Sequence, residues 1–192
     1  MRPMKKMIDK IKYHRDKKKY FKVQRQVSKD VFEKSHGYIV DFSKDFILLN
    51  DSDDFELDGY SIFPIKTIAD IQFKNTDKHY DKIMHLEGLT DRVVKKHKID
   101  LTNWTSIFKS IRLLGLNPIV ENEDPNDESF DVGPITKVTK TSVYVRYFDS
   151  QGYLDKEPTK IPFNLITIVK FDGRYTNTMS KYLRERKTGT KR

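Results

Sequence analysis

A glycine with an apolar residue two positions on and another three beyond that occurs twice in this chain, 96 residues apart. The first instance is Gly37-x-Ile39-x-x-Phe42 and the second is Gly133-x-Ile135-x-x-Val138. The match continues in order. Ile47, Leu48 and Leu49 correspond to Val143, Tyr144 and Val145. After two extra residues in a loop of the second copy, Pro64 corresponds to Pro162, Ile68 to Ile166 and Phe73 to Phe171, and each copy runs on to a tyrosine, Tyr80 or Tyr175. A match this long in one order identifies an internal duplication, so the fold must be built from one small unit used twice.

Periodicity says what that unit is. Residues 4–19 place Met4, Met7, Ile8 and Ile11 on one helical face. From Tyr20 the period falls to two, with Phe21, Val23 and Val27 on alternate positions, as in a half-buried strand. Further strands are predicted over 37–42, 46–49, 60–65 and 68–73, and a short helix over 79–86. Residues 51–59 read as an acidic loop. The second copy repeats the order. A helix over 102–114 has Thr102 or Asn103 as its N-cap and stops at Gly115. Strands follow over 118–122, 130–138, 142–148, 159–163 and 166–171, with a last helix over 175–183. The expected organisation is a first unit at 1–88, a connector at 89–101, a second unit at 102–183 and a basic tail at 184–192. The two glycines either relieve a strand bend or merely end a loop; the bend is preferred, because strand glycines usually mark bends or close backbone approach.

The strand motif resembles that of the Sm-like family, which includes the LSm and Hfq proteins. There, a glycine, spaced apolar positions, a turn and an apolar strand form the first of two signature segments. The resemblance implies a mainly β fold with short helices, as two tandem Sm-like (SH3-like) small barrels, each a helix plus five strands. It departs from the family where RNA bases are gripped. The family's Asp position holds Ser43 or Thr139, and its Asn position holds Ile47 or Val143. The second signature's Arg-Gly or Lys-His pair is replaced by Phe63 to Lys66 and by Pro162 to Leu165. The resemblance therefore carries the fold more than the activity.

Charge is uneven. Residues 1–26 hold eleven Lys or Arg against Asp9 and Asp16, which accounts for the whole net charge of +9. Residues 181–192 carry +5 and the middle, 27–180, about −5, so long-range attraction to a polyanion is expected to act through the termini. Lys5, Lys6, Lys10, Lys12, Arg15, Lys17, Lys18, Lys19, Lys22 and Arg25 cluster there with Tyr13, Tyr20 and Phe21 between them. Lysines of this kind neutralise phosphates and aromatic faces stack on bases; the competing reading is the solvated polar face of a helix. The tail residues Arg184, Arg186, Lys187, Lys191 and Arg192 are expected to be disordered.

Other chemistry finds little support. There is no Cys, which excludes disulfides and thiol nucleophiles and fits a cytoplasmic compartment. No glycine-rich phosphate loop, HExxH or GxSxG pattern occurs, so neither an enzyme nor a cofactor is expected. A calcium loop starting at Asp51 would need Gly and Glu where Glu56 and Ile62 stand, which favours a solvated hairpin. No signal peptide and no apolar run long enough for a membrane span is read. The leading expectation is a non-enzymatic RNA-binding protein contacting phosphate through its basic ends, with exposed Tyr60, Tyr147 or Tyr153 available for stacking. The alternative is a protein-protein interaction or assembly module that binds no nucleic acid, with strand edges open to self-association.

Overall fold

The computed structural model describes residues 2–186, with side chains from residue 5 onward. The side chain of Met4 and the tail residues Lys187, Lys191 and Arg192 thus lie outside the described residues. The first copy contains helix α1 (Arg2–Asp16) and strands β1 (Phe21–Ser28), β2 (Val31–Phe42), β3 (Phe46–Asp53), β4 (Glu56–Pro64) and β5 (Ile68–Gln72), followed by α2 (Asn75–Leu86). The second contains α3 (Trp104–Leu113) and strands β6 (Ile119–Asn122), β7 (Ser129–Val132), β8 (Ile135–Val138), β9 (Ser142–Val145), β10 (Tyr153–Leu154), β11 (Thr159–Pro162) and β12 (Ile168–Phe171). Helix α4 (Arg174–Met179) and strand β13 (Arg184–Glu185) close the described chain. No helix among the described residues is long and apolar enough to cross a membrane.

The fold is mainly β, as expected, but two separate barrels do not form. No sheet closes. One eight-stranded sheet runs β5-β1-β2-β3-β4-β12-β6-β7 and so contains strands of both copies. The rest of the second copy forms a three-stranded sheet, β11-β9-β8, and a two-stranded one, β10-β13. The joint between the copies is antiparallel pairing of β4 with β12, with Tyr60, Ser61 and Ile62 opposite Phe171, Lys170 and Val169.

The cause lies in the side chains of β3 and β4. A strand with one wet face alternates, whereas Phe46 to Leu49 and Tyr60 to Pro64 are buried without interruption, the pattern of strands covered on both faces. Phe46, Leu48, Tyr60 and Ile62 enter a core with Ile107, Phe108, Ile111, Val143 and Val145 of the second copy. Ile47, Leu49, Phe63 and Ile65 enter another with Ile11, Phe21 and Val23 of the first. The first core cannot exist without both copies, so neither unit is energetically self-contained.

The duplication survives in the backbone. Gly37 and Gly133 both have φ near +150°, and an added Cβ would lie 2.2 Å from the Asn50 carbonyl oxygen and 2.0 Å from that of Arg146, respectively. The bend reading therefore holds, and its cause is close strand approach. Ser43 N–H donates to the Phe46 carbonyl and Thr139 N–H to that of Ser142, both at 2.9 Å. At Gly133, however, the expected strand over 130–138 breaks into β7 and β8, which lie in different sheets. The acidic loop expected over 51–59 is also mostly strand: β3 and β4 pair as far as Asp53 and Glu56, leaving Asp54 and Phe55 as a turn with positive φ.

Helix α3 is capped by Asn103, whose side chain accepts from the Ser106 N–H at 3.0 Å. The connector is stitched to the body through Val93, Ile99 and Leu101, all buried, and through Lys96 and His97, both paired with Asp172. The tail expectation is corrected at its start. Arg184 and Glu185 form β13, and Arg186 pairs with Asp149 at 2.7 Å.

Gly133→Ala is expected to destabilise the protein by about 2–4 kcal/mol in urea unfolding, because Ala adds a Cβ clash to a disfavoured φ. An equal loss is expected for Gly37→Ala, whereas Gly88→Ala, with open space around it, is expected to cost about 1 kcal/mol through φ alone.

Candidate nucleic-acid interface

The ten basic residues singled out in the sequence separate in space. Lys5, Lys6, Lys10 and Lys12 are exposed on α1, and Lys17 and Lys18 are exposed just after it. Arg15 bonds Asp16 next to it. Lys19 pairs with the buried Asp81 at 2.9 Å and Lys22 with the buried Asp77 at 3.4 Å, which ties β1 to α2. Arg25 is a correction to the expected cluster: its side chain is 1% exposed and cannot meet a phosphate on the surface. It forms a two-pronged ion pair with Glu123, both contacts at 2.7 Å, and donates to Ser35 Oγ at 2.8 Å. Burial pushes the Glu123 carboxyl up, but the Arg25 bonds and charge, with a bond from Thr167, outweigh it and hold the group below its usual range. This pair links β1 to the second copy, so it is part of the joint.

The aromatic expectations are corrected as well. Tyr60 is buried, with its hydroxyl donating to the Val94 carbonyl at 2.9 Å. Tyr153 is half-buried and lies beneath the Arg184 guanidinium, 4.0 Å from the ring centroid. Tyr147 is half-buried.

A different set of residues converges. A groove of about 890 Å³ opens between the turn joining β2 to β3, the turn after β4, the N-terminus of α3, and the equivalent turns of the second copy. Lys44 and Lys140 stand 96 residues apart at the same place in the duplicated turn. Lys66 and Asn164 likewise follow the two matched prolines, 98 residues apart. With Lys109 these make four exposed lysines, against the single carboxylate of Asp45.

The wall behind them is aromatic. Trp104 is half-buried and meets Phe46 edge-on, ring centroids 4.7 Å apart, then Phe108 at 5.7 Å; Phe108 in turn stacks on Phe163 at 5.7 Å. The turns are held firmly. Ile65 N–H donates to the Asp45 carbonyl, Phe163 N–H to that of Thr141, and Thr105 Oγ to that of Thr139. The partial positive charge at the start of α3 adds to the lysine field. Pairing the two copies is what creates this site, by placing like turns face to face.

The sequence carried a signal for it. The residues that follow Ser43 and Thr139 are lysines, and those two places after the matched prolines are Lys66 and Asn164. They are scattered along the chain, however, and a search for dense basic runs passes over them.

A second concavity, about 660 Å³, lies along the joint and is acidic. Its groups mostly serve one another: Lys170 pairs with Glu121 at 2.7 Å, and Ser61 Oγ donates to Asp51 at 2.6 Å. Burial raises Asp51 to about 7, against the lowering effects of the Ser61 bond and Lys170. No group of three or more metal-ligating side chains occurs among the described residues. The carboxylates give this cleft the wrong sign for a polyanion.

Neither the protein-family models, nor the curated proteins, nor the solved structures include a match to this chain.

Two outcomes follow from the joint. Arg25→Ala is expected to cost about 2–4 kcal/mol, because it leaves the half-buried Glu123 without its cationic partner. For Asp51, a carboxyl whose folded pKa lies above its unfolded value gives stability that is full below about pH 4 and lost as pH rises through about 7. Asp51→Asn should remove this slope and be more stable than wild type at pH 8, by on the order of 1–3 kcal/mol in urea titrations.

Proposed function

We propose that this protein is a non-enzymatic RNA-binding protein whose contact surface is the lysine-lined groove between the two copies, assisted by the exposed lysines of α1. The convergence of Lys44, Lys66, Lys109 and Lys140 on an aromatic wall supports this reading most directly. Lysines supply sequence-independent attraction through counterion release, and the half-buried Trp104 ring supplies a surface on which an unpaired base can stack. The groove offers amides, at Asn103 and Asn164, but no arginine fork for a specific base, so shape and charge dominate recognition. α1 adds a second patch of positive charge that steers the strand electrostatically.

A second reading is favoured by one observation. The β4–β12 joint is a head-to-tail contact, in which an edge of the first copy meets a different edge of the second. Such a heterologous contact leaves the complementary pair of edges over, here β5 in one sheet and β11 in the other. Self-association through those edges would extend the basic surface along a strand.

The groove is tested by fluorescence anisotropy with a short single-stranded RNA at low salt. Lys44→Ala, Lys66→Ala and Lys140→Ala together should weaken binding by roughly 10- to 100-fold and lower the salt slope by about 2. Trp104 is the only tryptophan, so its emission should change on binding. Absence of affinity at low salt, or affinity and slope untouched by the triple substitution, would refute the proposal.

A further inference from the structure

We propose that residues 183–186, which include β13, are a strap that caps one sheet edge of the second copy and keeps it from pairing with the β5 edge of another copy of this chain. The inference rests on the self-association reading above and adds its control.

β10 and β11 together are the second copy's version of β4. Leu57 faces Ser52 and Ser61 faces Leu49 in the first copy; Leu154 faces Phe148 and Thr159 faces Val145 in the second. The outer edge of β4 is taken by β12, and the chain leaving β12 continues beside the first half of β4, where Arg174 N–H donates to Asp58 at 2.6 Å. β5 is the first copy's version of β12 and lies at the end of its sheet. The joint already inside the chain therefore defines what would dock on the β10–β11 edge: β5 of a second copy, with Gln72 opposite Thr159 as Lys170 is opposite Ser61. The residues that follow β5 would then pass beside β10.

That place is filled. β13 pairs in parallel with β10 on the side away from Phe148, with Tyr153 opposite Arg184 and Leu154 opposite Glu185. Arg184 N–H donates to the Gly152 carbonyl at 2.9 Å, and its guanidinium covers Tyr153. Arg146 grips the Glu185 carboxylate with two nitrogens, and Arg186 reaches Asp149. Open strand edges are templates for pairing with another chain, and a short charged strand laid over one is an effective cover. The fastening is of a releasable kind. It consists of a two-residue strand pairing, the Arg184 guanidinium over Tyr153, and the ion pairs Arg146–Glu185 and Arg186–Asp149, with no fully buried side chain among residues 183–186, so it opens locally without unfolding the core and weakens with salt.

The absence of cysteine makes the test direct. Gln72→Cys and Thr159→Cys are placed together in the full chain, which is oxidised and run on a non-reducing gel, with light scattering on the unoxidised protein. The strap is disabled by Arg184→Pro, which removes the donor to Gly152, or separately by Glu185→Lys, which opposes Arg146 and alters only an exposed side chain. The expected result is a monomer with the strap intact, and a ladder of dimers, trimers and longer species with either strap variant, with crosslinked product raised roughly tenfold. Ladders of equal strength with and without the strap substitutions would overturn the strap and leave edge pairing standing. Absence of multimers in every variant would overturn the edge pairing on which it rests.

Discussion

Three residue pairs across the β4–β12 joint hold this molecule's architecture together. The hydrogen bonds are ordinary in strength; what makes the joint decisive is how much apolar surface depends on it. With β12 in place, Tyr60 and Ile62 face Val169, Phe171 and the helix residues Ile107, Phe108 and Ile111 in one core. Without it, both faces of β4 could not be buried, and the first copy would expose a row of large side chains. Arg25 and Glu123 reinforce the same joint from the polar side. Their mutual pairing, with Ser35 and Thr167 as further partners, lets two charges sit where water is largely excluded.

The joint also explains how a duplicated chain comes to have one groove in place of two. Each copy carries a turn with a lysine at its tip, and alone each would offer a single charge on a convex end. The head-to-tail contact turns these ends toward one another across α3. Lys44 and Lys140 then share a field, with Trp104 between the copies. The same contact also forms the acidic cleft, where Asp51, Glu121 and Glu123 meet Lys170 and Arg25. One interface thus gathers charge of opposite sign into two separate concavities, although the chain's excess of positive charge lies at its ends.

Much of this was legible in the residues, and the failures have physical causes. The glycine spacing identified the duplication, and the close contacts of Gly37 and Gly133 show why glycine is required at those places. Helix α3 ends where Asn103 and Gly115 predict. The expectation of two barrels failed because Phe46 to Leu49 was read as a strand of one unit; its continuous burial is the mark of a strand shared between two cores. The basic N-terminal cluster was legible as charge but not as arrangement. Lys19, Lys22 and Arg25 lie on or beside a strand whose neighbours carry Asp81, Asp77 and Glu123, residues distant in the chain.

The sequence by itself determined the repeat, the mainly β character, the bend glycines and the uneven charge, because these depend on local backbone preference and on counting. Only the tertiary structure decided which lysines share a groove, which are consumed in ion pairs, and which sheet edge the segment around Arg184 covers. Those outcomes depend on one pairing between strands more than a hundred residues apart, and strand pairing over such distances is set by how apolar faces are shared, which no local pattern in either strand records.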